Sequence, residues 1–362
     1  MSRTDTERGN PNRIRTRYLV NLIIMGAVTL AAAGLAAFFM LRTGELTAAN
    51  SSLSKELEQL RVSTQGSVSE KDLQKQLSEA RESAAAMQKR QVLMQIQSSL
   101  ESGSSTTAIL RSLFADSLVV QSGGRYYFYP IESAAEKNSF LDGDFAFDEG
   151  GALVYTGSNP SVHLERGVDI SENNGEIDWT LLKDEEVGFA MICAGTAQDD
   201  GTILQDTRFE ENMQGAAAAG LNTGAYFRIG AASQEEALQE AEFVISALEP
   251  YRNQIRCPVA VVIPSSERGE RLLALSRSEW TDIVKAFCRR IEEEGYRPVI
   301  YGSLSTFTMQ VDITELEHFD KWLANYDSRL YFPYKFSMWQ YSVNGQVGGI
   351  EGETGMDVII TE

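Results

Sequence analysis

From Arg166 onward, short apolar runs alternate with amphipathic stretches, and this alternation constrains the fold more than any other feature of the chain. Val168 to Ile170, Phe189 to Cys193, Asn222 to Phe227, Val259 to Ile263 and Pro298 to Tyr301 read as strands. Further strands are expected near Lys321 to Ala324 and Lys335 to Gln340. Between them, Gln234 to Leu248 and Ser278 to Glu294 carry a helical period. Such alternation implies an α/β fold, a mostly parallel sheet or barrel with helices outside. This portion is long enough to bury a core of its own.

The preceding sequence divides differently. Residues 1–17 form a basic tail, with five arginines against Asp5 and Glu7. Residues 18–41 are an apolar run broken only by Asn21 and Thr29, long enough to cross a bilayer core of about 30 Å. The arginines before this run, against Arg42 alone after it, predict a single-pass membrane protein. Its N-terminus would be cytoplasmic and its C-terminal domain extracellular. A cleaved signal peptide is the rival reading, and its apolar core would be shorter.

Residues 44–101 read as a helical stalk. Leu46, Leu53, Leu57 and Leu60 follow coiled-coil spacing, and Leu73, Leu77, Ala80, Ala84, Met87 and Met94 resume it in a second register. A homodimer through the stalk, a hairpin, or a lone helix packed on the next domain all satisfy that pattern. Residues 104–160 read as a small hairpin module, with turns at Ser122-Gly123-Gly124 and Glu149-Gly150-Gly151.

Composition narrows the chemistry. The formal charge of −19 argues against nucleic acid as a partner, because phosphate contacts need clustered Lys and Arg. Cys193, Cys257 and Cys288 have no metal or disulfide spacing, and His163 and His318 lie in separate segments. No metal, no cofactor and no Ser-His-Asp or Cys-His arrangement is expected.

Ordered motifs carry a resemblance. They open with Gly167-Val168-Asp169-Ile170-Ser171 and Gly175-Glu176-Ile177-Asp178-Trp179, and continue through Gly224-Ala225-Tyr226, Trp322-Leu323-Ala324-Asn325-Tyr326 and Met338-Trp339-Gln340-Tyr341 to Asp357. Over this stretch the chain resembles the lysozymes (muramidases) of glycoside hydrolase family 25, and the whole layout resembles membrane-anchored family 25 proteins of Gram-positive bacteria. The resemblance implies that residues 166–362 form an irregular (β/α) barrel of that lysozyme type. Its site would sit at the C-terminal ends of the strands.

The resemblance also implies catalytic carboxylates in an Asp-X-Glu at the end of the strand after a Pro-Val pair. Here those places are Val262 and Pro264. Two further family acids, Asp169 and Asp357, survive, and Glu267 and Glu270 lie just beyond the strand. Glycosidic cleavage needs an acid for the leaving oxygen and a second carboxylate at the anomeric centre. The expected function is therefore a pseudo-muramidase that binds peptidoglycan glycan strands or an envelope protein without hydrolysis. An active muramidase with relocated carboxylates is the alternative. The groove residues implied are Asp169, Tyr226, Tyr301, Trp322, Tyr326, Trp339, Gln340 and Asp357.

Overall fold

The computed structural model describes residues 54–56, 70–141, 143–264 and 269–362. The chain divides into two compact units, residues 1–94 and 95–362. Helix α1 (Glu70–Glu101) is polar along its length, and Leu73, Leu77, Met87 and Met94 are all exposed. The first stalk register, on Leu46, Leu53, Leu57 and Leu60, lies outside the described residues.

The expectation of a single-pass membrane protein is corrected. Among the described residues no helix is long and apolar enough to cross a membrane. The one long enough, α1, carries Lys, Arg, Asp and Glu on most of its turns, which hydrocarbon does not tolerate. Residues 18–41 lie outside the described residues.

The second unit is built on one sheet. Its strands are β5 (His163–Ile170), β6 (Phe189–Ala197), β7 (Ile203–Gln205), β8 (Asn222–Arg228), β9 (Ile255–Val262), β10 (Pro298–Ser303), β11 (Asp320–Ala324), β12 (Met338–Gly345) and β13 (Thr354–Thr361). The order is β5-β13-β12-β11-β10-β9-β8-β6-β7, and β5 also pairs with β6. That extra pairing closes every strand but β7 into a barrel. Within the barrel, neighbours run parallel from β5 through β12, while β13 runs antiparallel to both β12 and β5, and β7 pairs antiparallel with β6 outside it.

Strand alternation sorts side chains into two cores. Phe189, Met191, Ala260, Val299, Trp322 and Met338 pack inside the barrel. Ala190, Ile192, Ala225, Phe227, Val259 and Val261 point outward, toward the helices. Both faces are buried, so these strands read as unbroken apolar runs rather than as alternating ones. Gly167 admits the Phe189 ring at the base of the barrel, where a Cβ would collide with it.

The outer helices are α3 (Trp179–Asp184), α4 (Phe209–Ala218), α5 (Gln234–Leu248), the short α6 (Glu270–Leu273) and α7 (Arg277–Glu293). Their starts are fixed locally. Asp178 caps α3, Ser233 caps α5, and Ser276 with Glu279 forms a capping box on α7. Among the described residues, β11, β12 and β13 are joined without helices, leaving part of the barrel wall without a helical cover.

The N-terminal part of the unit supplies that cover. Helix α2 (Thr106–Leu113) leads into the antiparallel pair β1 (Ser117–Ser122) and β2 (Arg125–Pro130), and a second pair follows in β3 (Phe145–Phe147) and β4 (Leu153–Tyr155). Phe145 meets Phe140 and Tyr155, and stacks edge-on against Trp339 on the outside of β12 at 5.0 Å. Residues 132–138 then strap the loop before β12. Asn138 donates to the Phe332 and Tyr334 carbonyls, and the Tyr334 hydroxyl accepts from the Glu132 amide. The hairpins and the barrel share one core.

Candidate functional site

The antiparallel β13 brings three polar side chains together at one end of the barrel. Asp357 lies opposite Gln340 of β12, and Gly355 lies opposite Asp169 of β5. Gln340 Nε2 donates to Asp169 Oδ2 at 2.7 Å. Its Oε1 accepts from the hydroxyls of Tyr301 (2.6 Å) and Tyr326 (2.9 Å). Trp322 Nε1 donates to Asp357 Oδ1 at 2.8 Å.

The remaining oxygen fixes the protonation. Asp357 is 0 % exposed, and its Oδ2 is sealed from solvent without an N–H partner. Its carboxyl lies beside that of Asp169, whose charge is the main cause after burial that opposes its ionisation. Two carboxylates set side by side away from water favour holding a proton between them. Both tyrosines donate into Gln340 Oε1, so the amide nitrogen faces Asp169, which must accept. Asp357 is therefore the proton holder and Asp169 the ionised partner, the pair titrating as a unit. Burial first, then the adjacent Asp169 charge, hold the Asp357 carboxyl well above the usual carboxylate range. Burial also raises Asp169, opposed by its bonds from Gln340 and Asp357.

Gly355 makes this arrangement possible. A Cβ there would run into the Asp169 carboxylate. Gly355→Ala is expected to cost about 1–3 kcal/mol as overpacking. In urea unfolding, adding Asp169→Ala should recover part of that loss, the signature of a direct clash.

The expected groove residues fall at different depths. Tyr226 and Tyr301 flank Trp322, which is 1 % exposed and forms the floor, with ring centroids at 6.2 and 4.8 Å. Tyr326 stands on the rim, 53 % exposed. Trp339 is not in the groove. It is fully buried on the outer face, between Phe145 and Phe336, with its Nε1 donating to the Asn325 carbonyl.

Val262 lies on the inner wall, paired with Tyr301 and Arg228, and Pro264 is buried just beyond. Neither carries a titratable group. Glu267 is outside the described residues. Glu270 opens α6, where the Gly269 amide donates to Asp199 Oδ1 and Arg271 pairs with Glu236, docking that segment on the β6–β7 turn and α5. Cys193 beside Tyr226 is no substitute nucleophile, since burial, then the Asp206 charge, push its thiol up to about 12. Two residues of the mouth, Gly355 and Arg228, escaped the sequence reading. Alternation along β8 and β13 is the signal that would have found them.

A closed barrel of parallel strands ending in one antiparallel strand, with an acid pair at its mouth, defines the lysozyme-type (β/α) barrel. The sequence profile described as Glycosyl hydrolases family 25 matches residues 168–350, and the chain belongs to that family. The chain is 27 % identical to "Lysozyme M1" of Streptomyces globisporus over 197 residues, which cover 52 % of this chain and 65 % of that protein. It thus spans less than two thirds of that relative's length. It is 28 % identical over 210 residues to "Uncharacterized protein YegX" of Escherichia coli O157:H7, covering 55 % of this chain and 71 % of that one. Among solved structures, the modular autolysin LytC of Streptococcus pneumoniae superposes with a TM-score of 0.49 at 22 % identity, covering 66 % of this chain and 51 % of that one. The bacterial lysozyme of Streptomyces coelicolor superposes with a TM-score of 0.44 at 22 % identity, covering 54 % and 91 %.

Proposed function

We propose that the barrel mouth holds peptidoglycan glycan strands without cleaving them. Membership of the lysozyme family supports the ligand class. The absence of hydrolysis rests on one observation, that of the two surviving acids Asp357 is fully buried and bonded by Trp322, while Asp169 beside it is held by Gln340. Glycosidases keep their carboxyls about 5–5.5 Å apart for retention or about 6.5–9.5 Å apart for inversion, so that the scissile bond fits between them. An acid sealed in the interior beside its partner does not flank a scissile bond in either geometry. Asp357 has no solvent exposure, and one of its oxygens is taken by Trp322 Nε1.

Val262 and Pro264, at the family's Asp-X-Glu places, supply neither acid nor base. Loss of a general acid alone removes about 10²–10⁴ in rate. What remains is Tyr326 on the rim over Tyr301, Gln340 and the Trp322 floor, suited to stacking on a sugar ring and bonding its hydroxyls.

The test is an assay for new reducing ends on Gram-positive peptidoglycan, beside co-sedimentation with the insoluble wall. No turnover with firm sedimentation, weakened by Tyr326→Ala, is the expected result. Turnover by the unmodified protein, abolished by Asp169→Asn, would instead establish an active muramidase with relocated carboxylates. Neither turnover nor sedimentation would redirect the search to an envelope protein as the partner.

A further inference from the structure

We propose that Arg228 anchors a carboxylate carried by the bound glycan, making the groove selective for acidic over neutral sugar chains. This inference rests on the glycan-binding reading above. Along β8, Ala225 and Phe227 face the outer helices, with the Phe227 ring against Phe243 and Phe287. The alternate positions face inward. A Cβ at Gly224 would meet Met191 and Cys257, and Tyr226 packs on Trp322. Arg228 is next in the inward series and the last residue of the strand, so it emerges exposed at the mouth.

Its register partner on β9 is Val262, and its partner on β6 is Thr196. The wall that has an apolar side chain at a family acid position thus carries a cation directly beside it. That cation is unspent. Arg208, Arg252, Arg271, Arg277 and Arg290 each pair with a carboxylate, whereas among the described residues the Arg228 side chain makes no ion pair or hydrogen bond. On a chain of formal charge −19, anions are discouraged over most of the surface. A guanidinium at the mouth reverses that locally, and its fork matches a carboxylate in bidentate geometry. Asp169 is already engaged by Gln340 and not by this guanidinium.

The test is calorimetric titration of the full chain with an N-acetylglucosamine–N-acetylmuramic acid tetrasaccharide as the free acid and as its methyl ester. A third arm carries the lactyl group amide-linked to a short peptide ending in a carboxylate, which distinguishes a sugar-borne from a peptide-borne anion. The free acid or the peptide acid is expected to bind roughly tenfold more tightly than the ester, by a charge-assisted pair. Added salt should reduce the difference, since the pair is exposed. Arg228→Gln should erase it while leaving ester binding intact, and Arg228→Lys should keep part of it. Equal affinity for acid and ester, or a preference that survives Arg228→Gln, overturns this inference alone. No binding of any arm overturns it together with the glycan-binding reading.

Discussion

Trp339→Ala is expected to destabilise the barrel by about 3–5 kcal/mol, the range for removing a fully buried large aromatic. Its ring is 0 % exposed, wedged between Phe336 and Phe145, and its Nε1 holds the Asn325 carbonyl. The loss combines a cavity with an orphaned carbonyl, both at the wall where no helix covers β12. Phe145→Ala, on the hairpin side of the same contact, should cost a similar amount. The two together should cost clearly less than their sum, because they empty the same space. Urea unfolding followed by fluorescence and by far-UV circular dichroism checks this. Coincident single transitions would show the hairpins and barrel unfolding as one unit. If Phe145→Ala melts a separate early phase and leaves the barrel midpoint unmoved, the hairpin does not serve as the wall.

This contact also marks where the sequence stops being legible. The parallel barrel strands were readable because they stand out as apolar runs, as in Phe189 to Ala194 and Val259 to Val261, whereas the antiparallel β13 was not read as a strand. Helix starts were readable from residues such as Ser276 and Glu279. The site was readable only where a residue type is unusual, as with Asp169 and Asp357. Family order placed both Trp339 and Gln340 in the groove, yet neighbours on a strand point to opposite faces, so one of them had to leave. Structure assigns the groove to Gln340 and the outer wall to Trp339. Nothing local in the sequence predicts that the hairpins would cover that wall. The contact joins Phe145 to Trp339 across nearly two hundred residues, and only tertiary packing selects it. Gly355 and Arg228 are common residue types whose meaning comes from what faces them.

The acid pair gives an asymmetric expectation for two substitutions that are chemically alike. Asp357→Asn should fold as well as the parent at pH 6 and better at pH 8. An asparagine amide can donate to Asp169 where the Asp357 proton does, while its carbonyl accepts from Trp322 Nε1. Asp169→Asn should cost about 1–3 kcal/mol, as for a half-buried group left facing a donor it no longer satisfies. Asp169 accepts from Gln340 beside the protonated Asp357, and an amide placed there turns one acceptor into a donor facing a donor. Gln340 has no alternative orientation, because flipping it would aim its NH₂ at two tyrosine hydroxyls.

The pH dependence follows by linkage. In the unfolded chain, Asp357 ionises in the ordinary range near about 3.9. In the folded chain it keeps its proton well above that. Between the two values the folded state binds more protons, so stability is full at low pH and falls as pH rises, by up to about 1.4 kcal/mol per unit. Glu240, pushed up to about 8 by burial, adds a slope of the same sign in parent and variants alike. The difference between parent and Asp357→Asn in thermal midpoints from pH 5 to 8 therefore isolates the pair. A widening gap in favour of Asp357→Asn confirms Asp357 as the proton holder. A constant gap, or one that favours the parent as pH rises, would mean that the proton sits on Asp169. The donor at Gln340 would then face the wrong partner, and the argument that the mouth lacks a usable catalytic pair would lose its footing.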